Sequence, residues 1–161
     1  MIFSDSGCST LKTLETLRLQ AYDDATGLPV PVGGVCKGTL SIGYGSTSNV
    51  VPGMIITEQE ALARLQTKIA FITNELNSVI KVVLTQNQFD AVVIFTYNIG
   101  FGQNKPQHES GFDGSTMLKL LNNNSYLAAA DEFPKWNHVG GVVNAGLTNR
   151  RAVERKLFLT L

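Results

Sequence analysis

Apolar positions along the chain recur in two rhythms. Leu62, Leu65, Ile69, Ile72 and Leu76 fall at three- and four-residue steps, the spacing of one helical face. Thr57 and Glu60 just upstream form a capping-box pattern, so the spacing predicts a long amphipathic helix over "TEQEALARLQTKIAFITNELNSV". "LTQNQFDAVVIFTYNIG" opens the same way with Thr85 and Gln88. Its body, from Phe89 through Tyr97, is apolar nearly all round, which predicts a central buried helix ended by Gly100 and Gly102. A first helix is expected from about Ser9 or Thr10 to Gln20, with Leu11, Leu14 and Leu17 inward. Three shorter helices follow. Ser115 caps one through Leu121, "SYLAAADEF" forms one stopped by Pro134, and "LTNRRAVERKLF" forms the last, burying Leu147, Val153, Leu157 and Phe158. "QNKPQHESGFDG" reads as a polar loop.

The other rhythm belongs to "AYDDATGLPVPVGGVCKGTLSIGYGSTSN", where short aromatic or β-branched pieces stand between Gly, Pro, Ser and Thr. It reads as a small β-hairpin region, the one stretch with strand character. The expected fold class is α+β and mostly helical. A β region of about 21–56 is joined to a larger helical part of 1–20 and 57–161, with a ligand cleft between the two lobes of a single domain. A chain of 161 residues is long enough for one substantial core.

Composition narrows the function by exclusion. Thirteen basic and thirteen acidic residues leave no net charge, and mean hydropathy is +0.07. There is no global basic field to recruit nucleic acid or an anionic membrane. No apolar run is long enough to cross a bilayer, and "MIFSDSGCSTLK" lacks a basic segment followed by an apolar core, so no secretory signal is expected. Cys8 and Cys36 are expected as reduced thiols, and with only His108 and His138 neither a metal site nor a cofactor is expected.

Candidate chemistry sits in "ETLRLQAYDDATG". Glu15 falls near the end of the first helix, and Asp23 and Asp24 open the β region beyond it. Alternation along a strand puts Asp24 with Tyr22 on one face and Asp23 on the other, so one aspartate of the two should meet a ligand. A carboxyl beside apolar helix packing can be held protonated, while one on a polar strand stays charged. Hydrolysis of a glycosidic bond needs that division of labour.

"ETLRLQAYDDATG", "SIGYGST", "LTQNQFDAVVIFTYNIG", "STMLKLLN", "AAADEFPKW" and "GLTNRRAVERKLF" follow one another in an order that resembles the phage-type lysozymes, the endolysins of glycoside hydrolase family 24. The likeness runs from roughly Leu11 to Leu159. It implies a muramidase cutting the β-1,4 bond between N-acetylmuramic acid and N-acetylglucosamine of bacterial peptidoglycan, with inversion, for lysis of a host cell. The family's pattern of a Glu, an Asp nine residues on and a hydroxyl opening a "TIGYG" strand maps onto Glu15, Asp24 and Ser41. Glu15 would be the general acid, and Asp24 would activate water with help from the hydroxyl. Asp23 is then expected as a solvated turn residue.

This chain departs from that pattern in three places. Ser41 replaces the threonine, with Thr39 two residues earlier as the alternative hydroxyl; Ser46 stands where many members carry a His; and "LPVPVGGVCKGTL" enlarges the hairpin. Tyr97 and Asn98 match the positions where the family lines its cleft, though Tyr97 could equally be core. Trp136 is expected to pack rather than bind sugar, and Arg150, Arg151 and Arg155 to form a solvated or ion-paired helix face. The resemblance further implies a monomer acting on peptidoglycan, with no nucleic acid and no stable membrane association. It would be made in the host cytoplasm and reach the wall through a pore formed by a separate protein. A lytic transglycosylase, or a wall-binding or phage structural domain without turnover, are the alternatives.

Overall fold

A computed structural model describes residues 1–102 and 111–160; most of the polar loop expected over 103–114, with His108, lies outside them. Six helices and two small antiparallel sheets make up the described chain, as the α+β reading requires. None of its helices is long and apolar enough to cross a membrane. The chain divides into two compact units, one of residues 9–68 and the other of 1–8 with 69 onward.

The unit of residues 9–68 carries the hairpin. It begins within α1 (Asp5–Leu14), which starts earlier and stops sooner than the apolar spacing predicts. The early start has a local cause: the Ser4 hydroxyl accepts the Gly7 N–H at 2.9 Å, and the Ser4 carbonyl accepts from Cys8. That is an N-cap, with Asp5 in the positive first turn. The early stop leaves Leu17 outside the helix, because β1 (Arg18–Asp23) begins one residue later. β1 pairs antiparallel with β2 (Leu40–Gly43), setting Tyr22 opposite Ser41 and Asp23 opposite Leu40, with a bulge between Arg18 and Tyr22. Ala21, Ile42, Ile56 and Ala61 form the buried cluster of this unit, covered by Leu17, Leu19, Leu40, Tyr44, Val50 and Met54. Gly43 (φ +65°) lies so close to α2 (Glu58–Val79) that an added Cβ would stand 3.3 Å from that of Ala61.

In the other unit, α3 (Gln86–Ile99) is the central element, with Phe89 through Tyr97 all buried. Its capping box is complete: Thr85 accepts the Gln88 N–H, and the Gln88 side chain accepts the Thr85 N–H. Gly100 ends it at φ +85°. α4 (Thr116–Asn122) is capped by Ser115, and α5 (Tyr126–Ala130) gives way to a 3-10 turn at Phe133–Lys135 that holds Pro134. Trp136 packs edge to face on Phe95, their rings 5.7 Å apart, and Phe133 meets Phe95 at 5.0 Å. Phe112 is fully buried, so the end of the polar segment contributes to the core.

Two sequence-based expectations need correction here. A second hairpin exists, β3 (His138–Val139) with β4 (Val142–Val143), so the first is not alone in strand character. Its Gly140–Gly141 turn, with φ of +57° and +81°, is the left-handed pair that a tight two-residue hairpin demands. α6 (Ala145–Leu159) buries Phe158 but exposes Val153; the buried positions beside Phe158 are Arg150, Arg151 and Glu154. Of the two alternatives expected for the arginines, solvated or ion-paired, the ion-paired one holds, and for Arg150 and Arg151 the pairs are buried. Glu154, fully buried, receives Arg150 at 3.0 Å and Arg151 at 2.8 Å, while Arg155 reaches the exposed Asp131 at 2.8 Å.

Candidate active site

Glu15 follows directly on α1, its N–H still donated to the Leu11 carbonyl as the last turn of helical bonding. Its carboxylate lies beside the Gly45 turn, where an added Cβ would stand 3.6 Å from Oε2. Gly45 (φ +75°) and Gly43 bend the chain so that the Ile42 and Ser46 main chains pair with each other. Ser46, at the position where many family members carry a His, takes part in this turn through its backbone.

The side chain that gathers the others is Tyr22. Its phenol hydrogen-bonds Ser41, its ring lies 4.8 Å beneath the Arg18 guanidinium, and it feels the charges of Glu15 and Asp24. Burial pushes the phenol above the ordinary tyrosine value, the two carboxylates adding to the rise while Arg18 and the Ser41 hydrogen bond oppose it. Arg18 is held by its own bond to the Gly27 carbonyl at 2.8 Å. Glu15 and Asp24 both act on the Tyr22 phenol through their charges, and Ser41 stands opposite Tyr22 across the β1–β2 pair. Strand alternation already grouped Tyr22 with Asp24; nothing in the spacing pointed to Tyr22 as the shared neighbour.

Asp24 is exposed just past β1, and its Oδ1 accepts the Thr39 N–H at 2.6 Å while its own N–H is donated to the Thr39 carbonyl at 3.1 Å. Thr39 thus meets Asp24 through its main chain. Ser41 is buried, its hydroxyl donating to the Thr39 carbonyl at 3.3 Å.

Asp23 corrects the expectation of a solvated turn residue: it is 4% exposed. Its Oδ1 accepts from Ala25 N–H at 2.9 Å and Gly38 N–H at 3.0 Å, and its Oδ2 accepts from Lys37 N–H at 2.7 Å. The Lys37 bond leads in holding this carboxyl below the usual aspartate value; burial opposes it, and the Ala25, Gly38 and Cys36 bonds reinforce it. Burial pushes the neighbouring Cys36 thiol up, with Asp23 adding to the effect. Cys8 and Cys36 are both free thiols.

Tyr97 and Asn98 belong to the other unit. Tyr97 is 4% exposed, which sides with packing rather than an open stacking face. Asn98 is exposed, and its Oδ1 accepts from the buried Arg151 at 2.8 Å. Among the described residues no cluster of three His, Cys, Asp or Glu side chains could hold a metal ion.

The phage lysozyme family model matches residues 12–154, nearly the whole chain. The chain belongs to the phage lysozyme family. This family member is 39% identical to the endolysin of Bacillus phage PZA over 98% of its own length, but spans only 55% of that relative. It is 35% identical to the endolysin of Salmonella phage P22, with 99% of each chain covered. Among solved structures it superposes on the muramidase domain of SpmX from Asticaccaulis excentricus with a TM-score of 0.79, at 34% identity over 99% of this chain and 98% of that one. The chain thus spans about half the length of the Bacillus phage relatives it matches.

Proposed function

We propose that this phage lysozyme family member is a muramidase that hydrolyses the β-1,4 bond between N-acetylmuramic acid and N-acetylglucosamine in bacterial peptidoglycan, with inversion, during host lysis. The observation that carries the reading is that one hairpin meets both carboxyls: Glu15 lies beside the Gly45 turn just past β2, and Asp24 is bonded to the Thr39 backbone just before it, with Ser41 opposite Tyr22. In this reading Glu15 protonates the departing glycosidic oxygen. Asp24 takes a proton from the attacking water through Oδ2, since Oδ1 already accepts the Thr39 N–H. Inversion requires carboxyls about 6.5–9.5 Å apart, with room for that water between them. Ser41 supplies the active-site hydroxyl, because Thr39 meets Asp24 through its backbone. Asn98 offers its side-chain amide to an N-acetyl group, its carbonyl oxygen being fixed by Arg151.

Residues 1–161 act as one catalytic domain, a monomer that needs no cofactor. Made in the host cytoplasm, it reaches the wall through a pore formed by a separate protein. Lysis on expression without any such partner would count against that route.

The test is turnover of purified peptidoglycan by wild type, Glu15→Gln and Asp24→Asn. Both variants should keep the wild-type circular dichroism and lose clearing, and the first product should be a reducing end of inverted configuration. Clearing by Asp24→Asn with 1,6-anhydromuramic products would instead identify a transglycosylase. Binding by the wild type without any turnover would leave a wall-binding domain.

A further inference from the structure

The enlarged hairpin arm between Asp24 and Ser41 ends beside Asp24, and something must hold it there. Two consecutive aspartates divide that task. Asp23 turns inward and gathers N–H groups from both sides of the arm: Ala25 as the chain leaves, Lys37 and Gly38 as it returns. The residue after Gly38 is Thr39, whose N–H is the donor on Asp24 Oδ1. Fixing Lys37 and Gly38 therefore fixes the Thr39 N–H to within one residue. The Asp24 N–H and Thr39 carbonyl close the same ring of bonds from the other side.

A buried carboxylate with three backbone donors has its charge well satisfied, whereas an amide in its place would turn N–H groups toward N–H groups. We infer that Asp23 is a positioning residue: by pinning the Lys37–Gly38 end of the arm, it sets the Thr39 N–H that orients Asp24, and it acts on turnover only through Asp24. This rests on the muramidase reading above. An arm of this length needs such a tie, since strand pairing at β1–β2 fixes only the residues next to the strands.

The experiment compares wild type, Asp23→Asn, Asp23→Ser, Asp24→Asn and the double variant Asp23→Asn/Asp24→Asn on purified peptidoglycan, with amide hydrogen exchange read at Lys37, Gly38 and Thr39. In each single Asp23 variant that keeps the wild-type circular dichroism, exchange at the three amides should quicken. The value of kcat should fall about 10- to 100-fold, the range expected when a reacting group is misplaced by up to an ångström. KM should stay within about twofold, because Asp23 has no polar atom left to offer a substrate. In the Asp24→Asn background, Asp23→Asn should cost nothing more.

The inference is overturned if the Asp23 variants turn over at the wild-type rate, or if KM rises with kcat unchanged. An equal further loss in the Asp24→Asn background also sinks it. So does failure of both Asp23 variants to fold, which would make Asp23 a folding residue alone. A wild-type protein that clears no peptidoglycan would refute the muramidase reading itself, and hydrogen exchange still reports whether Asp23 holds the arm.

Discussion

A single methyl group at Gly38 tests how tightly the arm is set against Asp24. A Cβ built there stands 2.2 Å from Asp24 Oδ1, 2.7 Å from the Ala25 Cβ and 2.9 Å from the Ala25 N. Ordinary contact begins near 3.4 Å, so the Asp24 carboxylate and the Gly38 backbone must separate by about 1.2 Å. Neither can move alone. Gly38 is tied to Asp23 at 3.0 Å, Asp24 Oδ1 accepts the adjacent Thr39 N–H at 2.6 Å, and a rotation of Asp24 leaves the Ala25 backbone clash in place. Forcing an extra methyl into such a site costs about 1–3 kcal/mol. For a chain of this size that lowers the melting temperature by roughly 2–12 °C. Under the proposed muramidase mechanism, displacing Asp24 by about an ångström should cut kcat on peptidoglycan by about 100-fold. Thermal melts and turbidity clearing of Gly38→Ala read the two effects separately. A variant that melts with the wild type and clears at its rate would show that the arm yields freely and that Asp24 is not tightly placed.

Two further outcomes follow from buried charge. Glu154→Ala leaves the Arg150 and Arg151 guanidiniums without their shared carboxylate, which should cost about 3–5 kcal/mol in urea unfolding; a loss under about 1 kcal/mol would refute the view that Glu154 neutralises both. Because folding lowers the Asp23 pKa below its ordinary 3.8, its contribution is complete above that value and is lost as pH falls through the lower folded-state value. The melting gap between wild type and Asp23→Asn should therefore be present at neutral pH and close in strong acid; a gap that persists there would mean the charge of Asp23 is not its source.

How much the sequence disclosed varied with the range over which each feature is determined. α2 and α3 carry their own caps and their own apolar period, so Thr57, Glu60, Thr85 and Gln88 marked them locally. α1 escaped its predicted start because the cap, Ser4, lies upstream of the leucine spacing. The β3–β4 hairpin was written in "HVGGVV", yet two-residue strands with exposed valines give no inside–outside alternation to read. On α6 a count of apolar positions cannot see that Arg150, Arg151 and Glu154 neutralise one another and so can be buried. The site divides similarly. Glu15, Asp24 and Ser41 were suggested by their place in an ordered set of motifs, and Tyr22 was grouped with Asp24 by alternation. Asp23 was misjudged because two of its three backbone donors arrive from 14 and 15 residues away, across an arm whose path no local pattern specifies.

That arm has an architecture suited to change. Both its ends are anchored on neighbouring aspartates, while its tip at Gly33 faces open space and the flanking Val32 is 85% exposed. Lengthening a loop costs little free energy once its ends are held, since closure entropy grows only with the logarithm of length. The tip is thus a natural position for grafting a peptide tag, a fluorophore or a wall-targeting module, with the graft mechanically insulated from the residues that the anchors hold.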